Sequence, residues 1–415
     1  MRFGINTLDD FDVGGKTVLL RVDINQPVDK ATDTLKDITR IRGCAPTIKE
    51  LSDKGAKVVV LAHQGSDIEY QNYYTLRPHA KVIEELTEKS VTFIPDVCGP
   101  FALAKIKAME DGDILLLDNV RFMAEEMTLF ETKLCLTPEQ QAKTQVVTKL
   151  APLADLFVVD AFAAAHRAQP TLVGFEQVLP SAMGRLFERE YSILSEIMRE
   201  PKKPMVFVLG GAKIQDAFMI MDKVLGESIA DTVLTGGLLG NVMLMARGID
   251  IGEASRRFIE EHNLSQFIQR SKGILAQYGD KVILPVDVAY NKEGKRCAVD
   301  VSALPCDALI TDIGEQTVEL YSQYLADAKT VFVNGPMGVF EEEATRYGTE
   351  ALWQAIARSQ AFTVIGGGDS VAATNAFNLA EDIDYICTGG GALVRFLSGE
   401  ALPVVTALKY AAKTF

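Results

Sequence analysis

The sequence predicts an α/β protein made of two doubly wound parallel-sheet (Rossmann-like) domains joined by a hinge helix. Three observations predict it. Short β-rich apolar runs alternate with amphipathic stretches along most of the 415 residues, the pattern of buried parallel strands with helical crossovers. That rhythm breaks once, near residues 181–204. In the second half, several strands run directly into glycines, and ligands of open parallel sheets bind at such carboxyl ends.

In chain order, the strands expected in the first half are TVLLRVDI (17–24), AKVVVLAH (56–63), DILLLDNV (113–120) and DLFVVDAF (155–162). The second half supplies PMVFVLGG (204–211), DTVLTGG (231–237), KVILPVDV (281–288), TVFVNGP (330–336) and FTVIGGG (362–368). Between them, SAMGRLFEREYSILSEIMREPKKP reads as one longer helix closed by prolines. The expected division is therefore 1–182, a linker helix 183–200, and 201–395. In the tail, 396–415, Val404, Leu408 and Ala411 fall at helical spacing with no strand beyond, so this segment is expected to pack back on the first domain.

Composition narrows the function. A net charge of −14 repels nucleic acid and anionic membranes at long range, and neither is expected as a partner. The uncharged stretch Thr232 to Ala246 contains Asn241 and three glycines and is too short to span a bilayer. Met1 to Asp10 shows no apolar core of a secretory signal, so a cytoplasmic location is expected. The six cysteines are far apart with no CxxC pair, which argues against a zinc ribbon or a dithiol site.

Two motifs are false leads. GGKT at 14–17 would place the first P-loop glycine at Asp10 and is followed by a strand. GGGDSV at 366–371 would place the third glycine of a dinucleotide fingerprint at Val371, which disfavours a nicotinamide-dependent dehydrogenase.

What GGGDS does offer is a strand end followed by a helix start, where backbone N–H groups bind phosphate. Three further loops, LGGAKIQD (209–216), NGPMGVFEEE (334–343) and CTGGGALVRF (387–396), repeat the arrangement, and four together point to one nucleotide crevice. Within it, Lys213 is placed to reach β- or γ-phosphate oxygens. Asp369 suits Mg²⁺, which takes a carboxylate together with substrate phosphates, and an N-cap role is compatible with that.

The first half of this acidic chain places Arg21, Asp23, Asn25, Arg40, Arg42, His63, Arg121, His166 and Arg167 at or near strand ends. Each arginine alone reads as a surface ion pair. Their recurrence suits a small anion bearing phosphate and carboxylate. Arg40 and Arg42 point to different faces of a helix or the same face of a strand, and spacing does not choose between them.

Taken in order, RVDINQPVD, RIRGCAPTIKELSDKGAKVVVLAHQG, LLLDNVRF, DAFAAAHRA, LGGAKIQD, LPVDV, VFVNGPMGVFEEE, VIGGGDS and TGGG resemble phosphoglycerate kinase over essentially the whole chain. The resemblance implies phosphoryl transfer between 1,3-bisphosphoglycerate and ADP, giving 3-phosphoglycerate and ATP, with Mg²⁺, in a monomeric hinge enzyme whose active site lies in the interdomain cleft. It also implies that Asp23, Asn25, Arg40, His63, Gly65, Arg121 and Arg167 bind phosphoglycerate, choosing Arg40 over Arg42. Lys213, Glu341, Gly366, Gly367, Gly368 and Asp369 fall in its nucleotide site, Glu341 touching the ribose.

Three positions depart from the family pattern: Ser66 replaces an arginine, Gln169 a histidine and Ala217 a lysine. All three remove positive charge near an anion, which motivates a second reading, a sensor that binds without turnover. The segment from Met123 to Leu150 also lacks the family's usual continuation.

The chemistry expected is positioning. An acyl phosphate is already activated, and the reverse nucleophile is an ionised carboxylate, so no general base is required. Arg40, Lys213 and the N–H of Gly368 or Asp369 are the groups expected around the transferring phosphoryl.

Overall fold

The near-continuous apolar runs become strands buried on both faces, among them Thr17–Val22, Lys57–Leu61, Leu156–Asp160 and Met205–Leu209, as parallel strands covered by helices require. The structure is a computed structural model describing residues 1–65 and 73–415. The chain divides into two units: Met1–Ile193 with Ala401–Phe415, and Leu194–Glu400. The division falls inside the helix Arg185–Arg199.

The first unit contains one six-stranded sheet. Its spatial order is Val91–Ile94, Ile114–Leu117, Lys57–Leu61, Thr17–Val22, Leu156–Asp160, Ser181–Met183, all parallel. The order reverses between Thr17–Val22 and Leu156–Asp160, a switch point that opens a crevice at the carboxyl ends. Val18, Leu20, Val58, Val60 and Val158 pack with Ile41, Ile48 and Leu51 of the helix Thr39–Asp53. The helix Pro403–Thr414 belongs to this unit, burying Val404, Leu408 and Ala411, with the Val404 N–H on the Ala165 carbonyl.

The second unit repeats the architecture: Val282–Ile283, Thr232–Thr235, Met205–Leu209, Thr330–Asn334, Phe362–Gly366, Tyr385–Ile386, again all parallel. Here the switch point lies between Met205–Leu209 and Thr330–Asn334. The buried Trp353 of the helix Tyr347–Arg358 packs in the core and donates from Nε1 to Thr374 Oγ1 at 2.9 Å, fixing the helix Gly368–Ala376 that follows the glycines.

Some expected boundaries differ. KVILPVDV is not one strand: Leu284 and Pro285 interrupt it after Val282–Ile283, since proline cannot donate to a ladder. The chain resumes as Asp287–Lys292 in a separate antiparallel sheet with Lys295–Asp300 and Ile310–Ile313. Ser181–Met183, expected as helix, pairs with Leu156–Asp160 as an edge strand, and the helix starts at Arg185.

Candidate active site

At the first switch point, the end of Thr17–Val22 delivers Asp23 and Asn25. Buried Asp23 accepts the Asn25 N–H on Oδ1 at 3.1 Å and Arg40 Nη1 on Oδ2 at 2.6 Å. Arg40 lies in the first turn of the helix Thr39–Asp53, while Arg42 points away to solvent. Asn25 Oδ1 accepts the Gly65 N–H at 3.0 Å, and the Gly65 carbonyl accepts Arg121 Nη1. Arg121 is held by Asn119, whose Oδ1 accepts its backbone N–H at 3.0 Å. A polar cavity of about 580 Å³ is lined by Asn25, Arg40, Gly65, Lys30 and Tyr74 among others.

Beside this chain of contacts, fully buried Arg21 donates from Nε to Thr171 Oγ1 at 2.9 Å and faces His63 Nδ1 from Nη2 at 3.1 Å. Burial, with the charges of Arg121, Arg21, Arg167 and Arg40, holds the His63 ring well below its ordinary pKa. The same desolvation, with Arg167 and Arg21 nearby, brings Arg121 down to about 10. Arg121 Nε is buried with no acceptor among the described residues. Desolvated cations with an unmet donor are chemically suited to an anion.

The segment after Met123 forms the underside of this cluster. Glu126 is fully buried and accepts the Thr171 N–H at 2.6 Å and its hydroxyl at 3.0 Å. Burial pushes its carboxyl up to about 7, against the pull of Arg21 and the Thr171 N–H. In the helix Thr128–Leu134, Glu131 accepts the Ala168 N–H at 2.7 Å, Gln169 Nε2 at 3.1 Å and pairs with Arg167 at 3.5 Å. Gln169 is thus committed to Glu131. Ser66 lies outside the described residues.

The second switch point is walled by glycines. A Cβ on Gly335 would lie 2.1 Å from the Gly210 carbonyl oxygen, and one on Gly210 2.3 Å from that of Pro336. Only glycine lets these two loops meet. Beside them a cavity of about 460 Å³ is walled by Leu238, Phe258, Ile310, Met337 and Val339, with Gly211, Glu341 and Asp369 also on its lining. A small-molecule site has this size and largely apolar character. Gly366 ends its strand, and Gly367, at φ +89°, caps the helix Gly368–Ala376, so the unpaired N–H groups at the helix start include those of Gly368 and Asp369. Ser370 Oγ accepts the Gly335 N–H at 2.6 Å, tying the two loops together.

Lys213 is exposed at the N-cap of the helix Ile214–Gly226, next to Ala212 of the cavity wall. Ala217 is 1% exposed, on the packed side of that helix. No cluster of three metal-ligating side chains occurs among the described residues. Asp369 alone, exposed beside the orphan N–H groups, fits Mg²⁺ held chiefly by nucleotide phosphates.

Of the residues predicted for the first site, hydrogen bonds join Asp23, Asn25, Arg40, Gly65 and Arg121. His63 is linked through Arg21, and Arg167 through its charge. Glu341 and Asp369 share one cavity. Arg40 belongs to the first unit, Lys213 and Gly368 to the second. Sequence reasoning missed Glu126, Glu131 and Thr171, which lie just outside the arginine motifs and are brought together only by the fold, and the apolar walls formed by Phe258, Ile310 and Val339. Paired acidic residues directly after an arginine motif were the one available signal.

The profile of the phosphoglycerate kinase family matches residues 8–400. The chain is 46% identical over 411 residues to the phosphoglycerate kinase of Methanothermus fervidus, covering 99% of this chain and 98% of that one. It is 40% identical over 413 residues to that of Thermoplasma acidophilum, covering 98% of each. Its structure is similar to the crystal structure of phosphoglycerate kinase from Pyrococcus horikoshii OT3, with TM-score 0.89, 38% identity and coverage of 99% and 100%. For the phosphoglycerate kinase of Coxiella burnetii the TM-score is 0.82, at 30% identity, with coverage of 97% and 98%.

Proposed function

The chain belongs to the phosphoglycerate kinase family, and from that premise we propose how its residues divide the family's reaction, reversible phosphoryl transfer between 1,3-bisphosphoglycerate and Mg·ADP. The observation that carries the division is that each unit has its own anion-ready crevice at a sheet's switch point. The first offers side-chain cations, the second backbone donors beside an apolar cavity. A phosphate with a carboxylate needs forks and charges, whereas a nucleotide needs an apolar slot for its base and N–H groups for its phosphates.

In this reading Asp23, Asn25, His63, Gly65, Arg121 and Arg167 hold phosphoglycerate. Glu341 and the loop Gly366 to Asp369 hold the nucleotide. Arg40 and Lys213 place positive charge on the transferring group, and the Gly368 N–H adds a donor. Asp369 is the side chain that would hold Mg²⁺ together with the nucleotide phosphates, and the ion would supply charge neutralisation there. The attacking carboxylate is ionised at neutral pH, so the protein supplies alignment, charge and exclusion of water. A monomer in the cytoplasm suits a chain that carries both crevices and acts on small soluble phosphates.

Calorimetry tests the division. Arg121→Met is expected to weaken 3-phosphoglycerate binding at least tenfold and leave Mg·ADP binding unchanged, with Glu341→Ala doing the reverse. If each variant affected the other ligand, the assignment would be wrong.

A further inference from the structure

We infer that Arg21 is a positioning residue that locks His63 as the neutral Nε2–H tautomer, making this histidine a hydrogen-bond donor to the substrate anion. The inference rests on the division of sites proposed above only for the identity of that anion.

The donors and acceptors around His63 fix its tautomer. A guanidinium has five N–H donors and no acceptor. Arg21 is fully buried inside a strand, and three contacts fix it: Nε on Thr171 Oγ1 at 2.9 Å, Nη1 on the Val22 carbonyl, and Nη2 on His63 Nδ1 at 3.1 Å. The Thr171 hydroxyl spends its proton on Glu126 Oε2 at 3.0 Å, so its oxygen is left to accept from Arg21. Arg21 cannot rotate away without losing two partners. Since it only donates, His63 Nδ1 must be the acceptor and carry no proton. The ring proton then sits on Nε2, for which no acceptor occurs among the described residues.

Protonating Nδ1 would break this hydrogen bond and set an imidazolium against Arg21. The other charged groups facing the ring are Arg121 after Ile114–Leu117, Arg167 after Leu156–Asp160 and Arg40 on its helix, all cationic. The nearby carboxylates, Glu126 and Asp23, act on Arg21 instead, and Glu126 also on Arg121. A histidine here therefore works as a neutral donor among cations. It neither takes a proton from the substrate nor adds charge to the cluster.

Nitrogen-proton correlation spectra of the ¹⁵N-histidine-labelled full chain decide the matter, because the sequence contains only four histidines and His63→Gln assigns the signal. The expected wild-type signature is a neutral Nε2–H ring that does not titrate between about pH 5 and 8. Arg21→Met should populate the Nδ1–H form and raise KM for 3-phosphoglycerate about tenfold, with KM for Mg·ATP unchanged. His63→Gln, whose amide nitrogen can donate from near the Nε2 position, should keep more 3-phosphoglycerate affinity than His63→Ala. An Nδ1–H or charged wild-type ring at pH 7 would overturn the inference, as would an Arg21→Met protein with an unaltered tautomer. The wild-type spectrum alone can refute it if Arg21→Met does not fold. Absence of kinase turnover would leave the spectrum intact and count against the function instead.

Discussion

Arg40, whose side chain is 37% exposed, has one Nη on Asp23 and the remainder of its guanidinium without a protein acceptor among the described residues. A cation placed for developing charge should act on turnover, so Arg40→Ala is expected to lower kcat about 100-fold or more. A rise in KM alone would remove its transition-state role. Glu126 gives a second residue-scale prediction. Its carboxyl is raised from 4.5 to about 7 by burial, so the folded state holds the proton more tightly than the unfolded chain, and the resulting stability is complete below about pH 4.5 and lost as pH rises towards 7. Relative to wild type, Glu126→Gln should therefore gain stability between pH 5 and 7.5. Urea midpoints at the two pH values check this, and an unchanged difference would mean that Glu126 is already ionised at pH 5. Arg21, Asp23 and Arg121 were legible because their motifs lie at or near strand ends, whereas Arg40, on the helix Thr39–Asp53, was chosen over Arg42 only by the family resemblance. Glu126 and Thr171 were not legible, because their pairing joins positions 45 apart in sequence and depends on the fold.

Strand ends and the loops after them are the elements that make the sites. Their glycines were visible in the sequence, but the reason for them was not: Gly210 and Gly335 face each other across a gap that excludes a Cβ. Gly335→Ala should separate those loops and raise KM for Mg·ATP more than tenfold, while binding of 3-phosphoglycerate stays at the wild-type value. Loss of both bindings would point to general unfolding. The helix Thr128–Leu134 shows the opposite case, an element whose role no motif announces. Through Glu131 it holds the backbone at Ala168 and the side chains of Arg167 and Gln169. Glu131→Ala is expected to change KM for 3-phosphoglycerate and leave KM for Mg·ATP alone, which initial-rate kinetics would read. Continuous apolar runs exposed the central strands clearly. The short edge strands Val91–Ile94, Ser181–Met183 and Tyr385–Ile386 escaped because two to four residues carry little periodic signal, and Pro285 explains the split after Ile283.

At the scale of the whole molecule, the proposed division gives each of two six-stranded parallel sheets one half of the reaction. The alternation of strands and helices made both sheets readable in advance. The second sheet's order is also that of dinucleotide-binding folds, so order alone does not choose a cofactor, and the glycine spacing at Gly366 to Val371 disfavours a dinucleotide. In-line transfer needs the carboxylate held by one unit about 3 Å from the phosphorus held by the other. Small-angle scattering should accordingly show a smaller radius of gyration only when both ligands are bound, and an unchanged radius would contradict closure. The most direct test is incubation with Mg·ATP, 3-phosphoglycerate and hydroxylamine, which traps an acyl phosphate as its hydroxamate. The account predicts ADP and hydroxamate in equal amounts, only when both substrates are present. Measurable binding of both ligands with neither product formed would contradict it, and would mean that the charges missing at Ser66, Gln169 and Ala217 had left a binding protein.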